Sequence, residues 1–246
     1  MGRDAIVDRL RAVASRLRSA RDPAAEPANT LPVVRRLRAW QTARLAQTFA
    51  DLRASPRHRE AAEFFLSDLY GEQDVSWRDR DLARMMPTLV RWLPEAMLDT
   101  VCDALELDLV SHWLDLQVAL ALGDGAGQPA TIRVASYAAA YRIAGTPAER
   151  GRQIDLLMAV GRDLDHIVRM PLVYGVLRLA RGAAGRAGLS SLHAFLERGF
   201  AAFRAMGGAQ EFLSTIEERE REISRRLFAG DPRPFGPGFP EPRSED

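Results

Sequence analysis

Apolar residues recur along this chain at steps of three and four, the period of a helix with one buried face. Ile6, Leu10, Val13 and Leu17 set the first stripe, and Val33, Leu37, Trp40, Leu45, Phe49 and Leu52 the second. Phe64, Phe65, Leu66 and Leu69 set a third. Leu82, Met85 and Met86 mark a fourth, where Pro87 either kinks the helix or begins a new turn, because proline has no backbone N–H to give. The longest stripe follows Pro94 and runs from Leu98 through Cys102, Leu105, Leu109 and Trp113 to Leu120. Further stripes pass through Tyr137 and Tyr141, from Ile154 to Val168, from Leu172 to about Gly185, through Leu192, Phe195, Phe200 and Phe203, and from about Ala209 to Phe228. No segment shows sustained alternation bounded by hairpin turns, so no strand is predicted.

Punctuation between the stripes agrees with this reading. Thr146-Pro147-Ala148-Glu149 is a capping box with proline at the first helical position. Ser55-Pro56 and Ser190 are further predicted starts, and Ser76 with Asp79 has capping spacing. Gly71 is placed to stop the third helix as a left-handed cap, GDGAGQP (123–129) reads as a loop, and Gly207-Gly208 as a break. The prediction is an all-α protein of about nine or ten helices in a single bundle. A mobile amphipathic basic helix (1–21) and a Pro-rich linker (22–32) precede a helical core (33–229), and a Pro/Gly-rich disordered tail (230–246) follows it.

Composition narrows the function more than it defines one. A net charge of +1 lacks the basic field that nucleic-acid binding requires. All the basic residues other than histidine are arginine, so no lysine chemistry is open to the chain. The single Cys102 lies in an apolar stripe and is expected to be a buried, inert thiol. No apolar run approaches the roughly 20 residues that cross a bilayer, and the N-terminus lacks the apolar segment of a secretory signal. A cytoplasmic protein is the simplest expectation.

Candidate chemistry is sparse. Asp108, His112 and Asp115 fall at i, i+4 and i+7 on one helix face, and Asp163 and His166 at i, i+3. Helical di-metal sites use Glu-x-x-His pairs at that spacing. Here Asp stands for Glu and one pair alone has the spacing, so no metal and no cofactor is expected. His58 and His193, near predicted helix starts, are expected on the surface or in caps. There is no G-x-S-x-G elbow and no phosphate loop. Residues 61–94 concentrate Phe64, Tyr70, Trp77 and Trp92 beside alternating Asp and Arg. A helical enzyme or ligand carrier would place a pocket there, with Trp113 and a metal as further elements. A packed helix contact with surface ion pairs explains the same residues.

Charge is the most uneven property of the chain. Residues 1–53 hold eleven arginines against five acids, and residues 92–132 hold seven acids and no Arg or Lys. Glu95, Asp99, Asp103 and Glu106 follow helical spacing, so four carboxylates share a face at mutual cost. Arg3, Arg9, Arg16 and the cluster Arg35, Arg36 and Arg38 are the natural compensation, within the chain or across a homo-oligomer. The function expected first is therefore non-enzymatic, by contact with a protein partner or by self-association through these residues. Binding of residues 1–21 to an anionic membrane surface is a weaker alternative.

Three stretches, FFLSDLYG (64–71), RDRDLARMMPTLVRWLP (78–94) and ERGFAAFRAMGGAQEFLSTIEERE (197–220), resemble a family of uncharacterised bacterial helical proteins. The resemblance covers about residues 33–230. It implies a helical fold and carries no activity or catalytic residue.

Overall fold

The structure is a computed structural model describing residues 2–69, 76–123 and 131–240. Tyr70, Gly71 and Asp74, most of the 123–129 loop and the end of the tail lie outside the described residues, as do the side chains of Trp77, Arg78, Asp79 and Arg80. The described residues are all-helical, without a strand.

The chain opens with α1 (Arg3–Arg21), whose stripe of Ile6, Leu10, Val13 and Leu17 is buried. A 3-10 turn, Pro27–Thr30, leads into α2 (Pro32–Thr48), which begins with proline at its first position. Two short helices follow, α3 (Ala50–Ala54) and α4 (Arg59–Phe64), and α4 opens into a π segment at Phe65–Leu69. Next come α5 (Ser76–Trp92), with Pro87 inside it, and α6 (Glu95–Leu122), the longest helix described. The chain continues with α7 (Val134–Ile143), α8 (Pro147–Ile167), α9 (Pro171–Arg186), α10 (Ser190–Ala205) and α11 (Gln210–Ala229).

Local chemistry explains several boundaries. Thr146 Oγ1 accepts the Glu149 N–H at 3.2 Å, while Glu149 Oε2 accepts the Thr146 N–H at 2.8 Å, so the capping box closes in both directions. Gly230, left-handed at φ 74°, ends α11. After Ser55-Pro56 one more turn of chain passes before α4 begins at Arg59, and it is the Ser55 carbonyl, not its hydroxyl, that accepts the N–H groups of His58 and Arg59.

Three apolar clusters fill the bundle. The first joins α2, α3, α4, α8, α10 and α11 through Phe49, Leu52, Phe64, Met158, Phe203 and Ile216. The second joins the start of α2 to the ends of α6, α7 and α11, with Trp40 stacked on Tyr137 at 4.3 Å between centroids. Phe235, from the Pro/Gly-rich segment after α11, packs against both rings. The third lies where α1 meets α5 and α6, with Leu10 and Leu98 fully buried. Glycine permits two close approaches. A Cβ on Gly161 would lie 2.5 Å from Leu213 Cδ2, and one on Gly199 would lie 2.7 Å from Phe64 Cζ, so α8 against α11 and α10 against α4 come together where only hydrogen fits.

Candidate functional site

Two of the charged gatherings among the described residues lie between helices and are partly or largely buried. The first is the acidic face of α6. Arg9 of α1 lays its guanidinium across it, with Nη1 3.2 Å from Asp99 Oδ1 and Nη2 2.6 Å from Asp103 Oδ1 and 2.5 Å from Glu106 Oε2. Arg152 of α8 also bonds Glu106. Burial alone would raise the Glu106 carboxyl, but the hydrogen bonds from Arg9 and Arg152 outweigh it and hold the group below the ordinary carboxylate range. Arg21 closes the far end on Asp108 at 2.5 Å, and Arg3 donates to the carbonyls of Val90 and Leu93. Glu95 stands exposed in the first turn of α6, where a helix favours negative charge.

The compensation expected from Arg35, Arg36 and Arg38 takes another form. Arg35 is exposed, Arg36 is half-buried, and Arg38 Nη2 lies 3.3 Å from His112 Nδ1. Arg9 and Arg21 of α1, with Arg152 of α8, form the ion pairs described on the acids of α6.

The second gathering is internal. On α2, Gln41 and Arg44 lie between the apolar cluster that contains Trp40 and the one that contains Leu45. On α11, Glu220 lies between Ile216 of one cluster and Ile223 of the other. These residues meet in a polar layer. Arg44 Nη1 bonds Glu220 Oε1 at 2.5 Å, and Gln41 Nε2 donates to Asp115 Oδ1 at 2.9 Å. The Tyr141 hydroxyl donates to Ser224 Oγ at 3.0 Å. Arg150, buried at the start of α8, lies 4.2 Å from the centroid of the Tyr141 ring.

The interior sets the ionisation of this layer. Burial raises the Asp115 carboxyl, against the Gln41 hydrogen bond and the charges of Arg150 and Arg38. It also pushes the Tyr141 hydroxyl up to about 12. His112 is lowered by burial and by the charge of Arg21. Its Nε2 lies 3.1 Å from the Ala20 carbonyl and its Nδ1 faces Arg38, an arrangement satisfied by a neutral ring with the proton on Nε2.

The metal candidates are committed elsewhere. Asp108 pairs with Arg21, His112 sits between Ala20 and Arg38, and Asp115 accepts from Gln41. Asp163 accepts from Thr100 Oγ1 at 3.1 Å, and His166 is exposed. Among the described residues no three His, Cys, Asp or Glu side chains are placed to hold an ion. The described aromatic candidates are also dispersed: Phe64 is in the core facing Phe195 at 5.3 Å, whereas Trp92 and Trp113 are exposed at 71% and 43%.

Two histidines expected on the surface or in caps are interior, His58 standing at the N-cap position of α4 without a side-chain cap bond. His58 is buried with its ring 5.9 Å from Phe212, and His193 is buried with Nε2 2.8 Å from the Leu177 carbonyl. Cys102 is buried, and burial pushes its thiol up to about 11, which leaves it a poor nucleophile. No helix among the described residues is long and apolar enough to cross a membrane.

Gln41, Arg44, Arg150 and Glu220 are not among the residues the pattern singles out, and Tyr141 is read only as part of an apolar stripe. Their signal is positional. Gln41 and Arg44 follow Leu37 at i+4 and i+7, Glu220 follows Ile216 at i+4, and Arg150 precedes Ile154 by four. Each polar residue occupies a place in an apolar stripe.

The molecule is thus an all-helical domain divided by a polar layer, with a basic helix docked on an acidic face. Residues 20–234 match the family described as Domain of unknown function (DUF8198), and the chain belongs to that family. The matched span begins at the last turn of α1, so most of that helix lies outside it. No curated protein and no solved structure matches the chain.

Proposed function

We propose that this protein acts by non-catalytic contact, as a helix-binding domain, and that the occupant of its groove is the α1 helix of a second copy of the chain. One observation carries the reading: α1 sits on α5 and α6 as a ligand helix sits in a receptor groove. Its apolar stripe covers Leu98 and Cys102 while Arg9 spans three carboxylates at the rim. The contact between α1 and α6 is the most extensive between any two described elements. The helix lies mainly outside the family span and reaches α2 through a Pro-rich connection, the arrangement in which an identical element can be exchanged between protomers. Charge complementarity between Arg9 and Arg21 of α1 and the acids of α6 gives such an exchange its register.

Sedimentation equilibrium of the full chain tests this, together with titration of a fluorescent peptide of residues 1–21 into protein lacking them. The expectation is a concentration-dependent dimer and saturable peptide binding, both weakened by Arg9→Glu. A chain that stays monomeric at all concentrations while the truncated protein ignores the peptide is incompatible with the proposal.

A further inference from the structure

Beyond α11, the segment 232–240 carries proline at positions 232, 234, 237 and 240 and phenylalanine at 235 and 239. It begins where the helix is already complete. The N–H groups of Gly230 and Asp231 bond the carbonyls of Leu227 and Arg226, so the end of α11 is satisfied without it. The hydrogen bonds described for the segment are its own. Arg233 N–H donates to Asp231 Oδ1 at 2.8 Å, and Gly236 N–H donates to the Arg233 carbonyl at 3.0 Å. The second bond closes a β-turn with Pro234 and Phe235 at its centre.

Rings join this turn to the helices. The Phe235 centroid lies 6.0 Å from that of Trp40 on α2 and 6.2 Å from that of Tyr137 on α7. The Arg44 guanidinium lies 5.7 Å from the same ring, and Phe239 backs it at 4.8 Å. The helices build the seat themselves: Trp40 and Tyr137 stack, and Tyr141 and Phe228 extend the row at 5.8 and 5.2 Å. Trp40 and Tyr137 fall inside the family span, which ends at residue 234, and both phenylalanines of the segment fall beyond it. A turn that keeps its backbone bonds to itself and seats its ring on an aromatic surface has the geometry of a bound peptide, here tethered to its receptor.

The tether sets the terms of release. Five residues, Gly230 to Phe235, reach about 17 Å at full stretch, so the segment serves the seat of its own chain. Simple opening would bare Trp40 and Tyr137 to water, which favours the closed form. Exchange for another turn of the same chemistry exposes neither ring, and it has only the high effective concentration of the resident segment to overcome.

We propose that the Trp40–Tyr137 surface is a docking site for a proline–aromatic turn of a partner protein, and that residues 232–239 are an intramolecular strap that fills it until such a turn displaces them. The seat belongs to the second apolar cluster and the α1 groove to the third, so the two readings are independent.

The test uses the full chain with a protease site inserted between Asp231 and Pro232 and cut after folding. A fluorescent peptide of residues 231–240, followed by anisotropy, is the probe. The severed tail should leave on gel filtration, and the peptide should then bind the cut protein saturably at one site. The uncut chain should bind it at least about tenfold more weakly, because the tethered strap competes. A peptide carrying Phe235→Ala should not bind. The uncut Phe235→Ala protein should bind the wild-type peptide as the cut protein does; if that variant does not fold, the cut protein decides. The proposal is overturned if the severed tail stays bound, if cutting unfolds the protein, or if the cut protein ignores the peptide. Equal binding by the uncut chain, or by the Phe235→Ala peptide, overturns it as well. Loss of a wild-type dimer in the Phe235→Ala protein would give the segment to a second copy and overturn the assignment to a partner.

Discussion

The acidic face of α6 and the polar layer between α2 and α11 use the same residue types under different physics. At the face, Arg9 is 32% exposed and its partners grade from Asp99 at 48% to Glu106 at 15%, so water and salt share the work of stabilising the outer charges. In the layer, Arg44 is 9% exposed and Glu220 17%, so little solvent screens either member of the pair. Proximity of opposite charges therefore says little until solvent access is known. The face suits a contact that forms and releases, whereas the layer fixes which helices neighbour one another.

The sharpest way to break this contrast is Glu220→Ala. Removing the carboxylate 2.5 Å from a largely buried guanidinium costs the layer its described ion pair, so a loss of about 3–5 kcal/mol is expected in urea unfolding. A loss below about 1 kcal/mol would place the layer in the same class as the face. Arg9→Ala should cost about 1 kcal/mol or less, and the difference from wild type should shrink as salt is raised, because exposed pairs are weak and screened. A large, salt-independent loss would erase the distinction from the other side.

The smallest expected effect concerns pH. Native His112 binds a proton more weakly than the unfolded chain, whose histidine titrates near ~6.5. As pH falls through about 6.5, the unfolded state takes up the proton first, and stability is lost on the acid side. His112→Gln should flatten that part of the stability profile, measured by urea midpoints between neutral and mildly acidic pH. An unchanged slope would show that His112 ionises alike in both states.

The helical class is legible from spacing alone, because a buried stripe must recur at the helical period whatever the tertiary contacts. The start of α8 is legible because Thr146 and Glu149 satisfy each other locally. The start of α4 is less so: serine followed by proline suggests a cap at Ser55, yet the helix waits until Arg59. The acidic row on α6 is visible in the sequence, but the choice of Arg9 over Arg35 as its partner depends on which face α1 presents after folding. The polar layer is hidden for a different reason. Arg44 and Glu220 are typical surface residues by composition, and only their place in otherwise apolar stripes separates them from solvated charges. Their being partners, 176 residues apart, is a property of the assembled bundle.

Gly161 and Gly199 act as notches that receive Leu213 and Phe64. Sliding α11 along α8 by one turn, about 5.4 Å, would set Leu213 opposite a full side chain and force the pair apart. The notch at Gly161 thus favours one register of α8 against α11 over its neighbours and opposes sliding of one helix along the other.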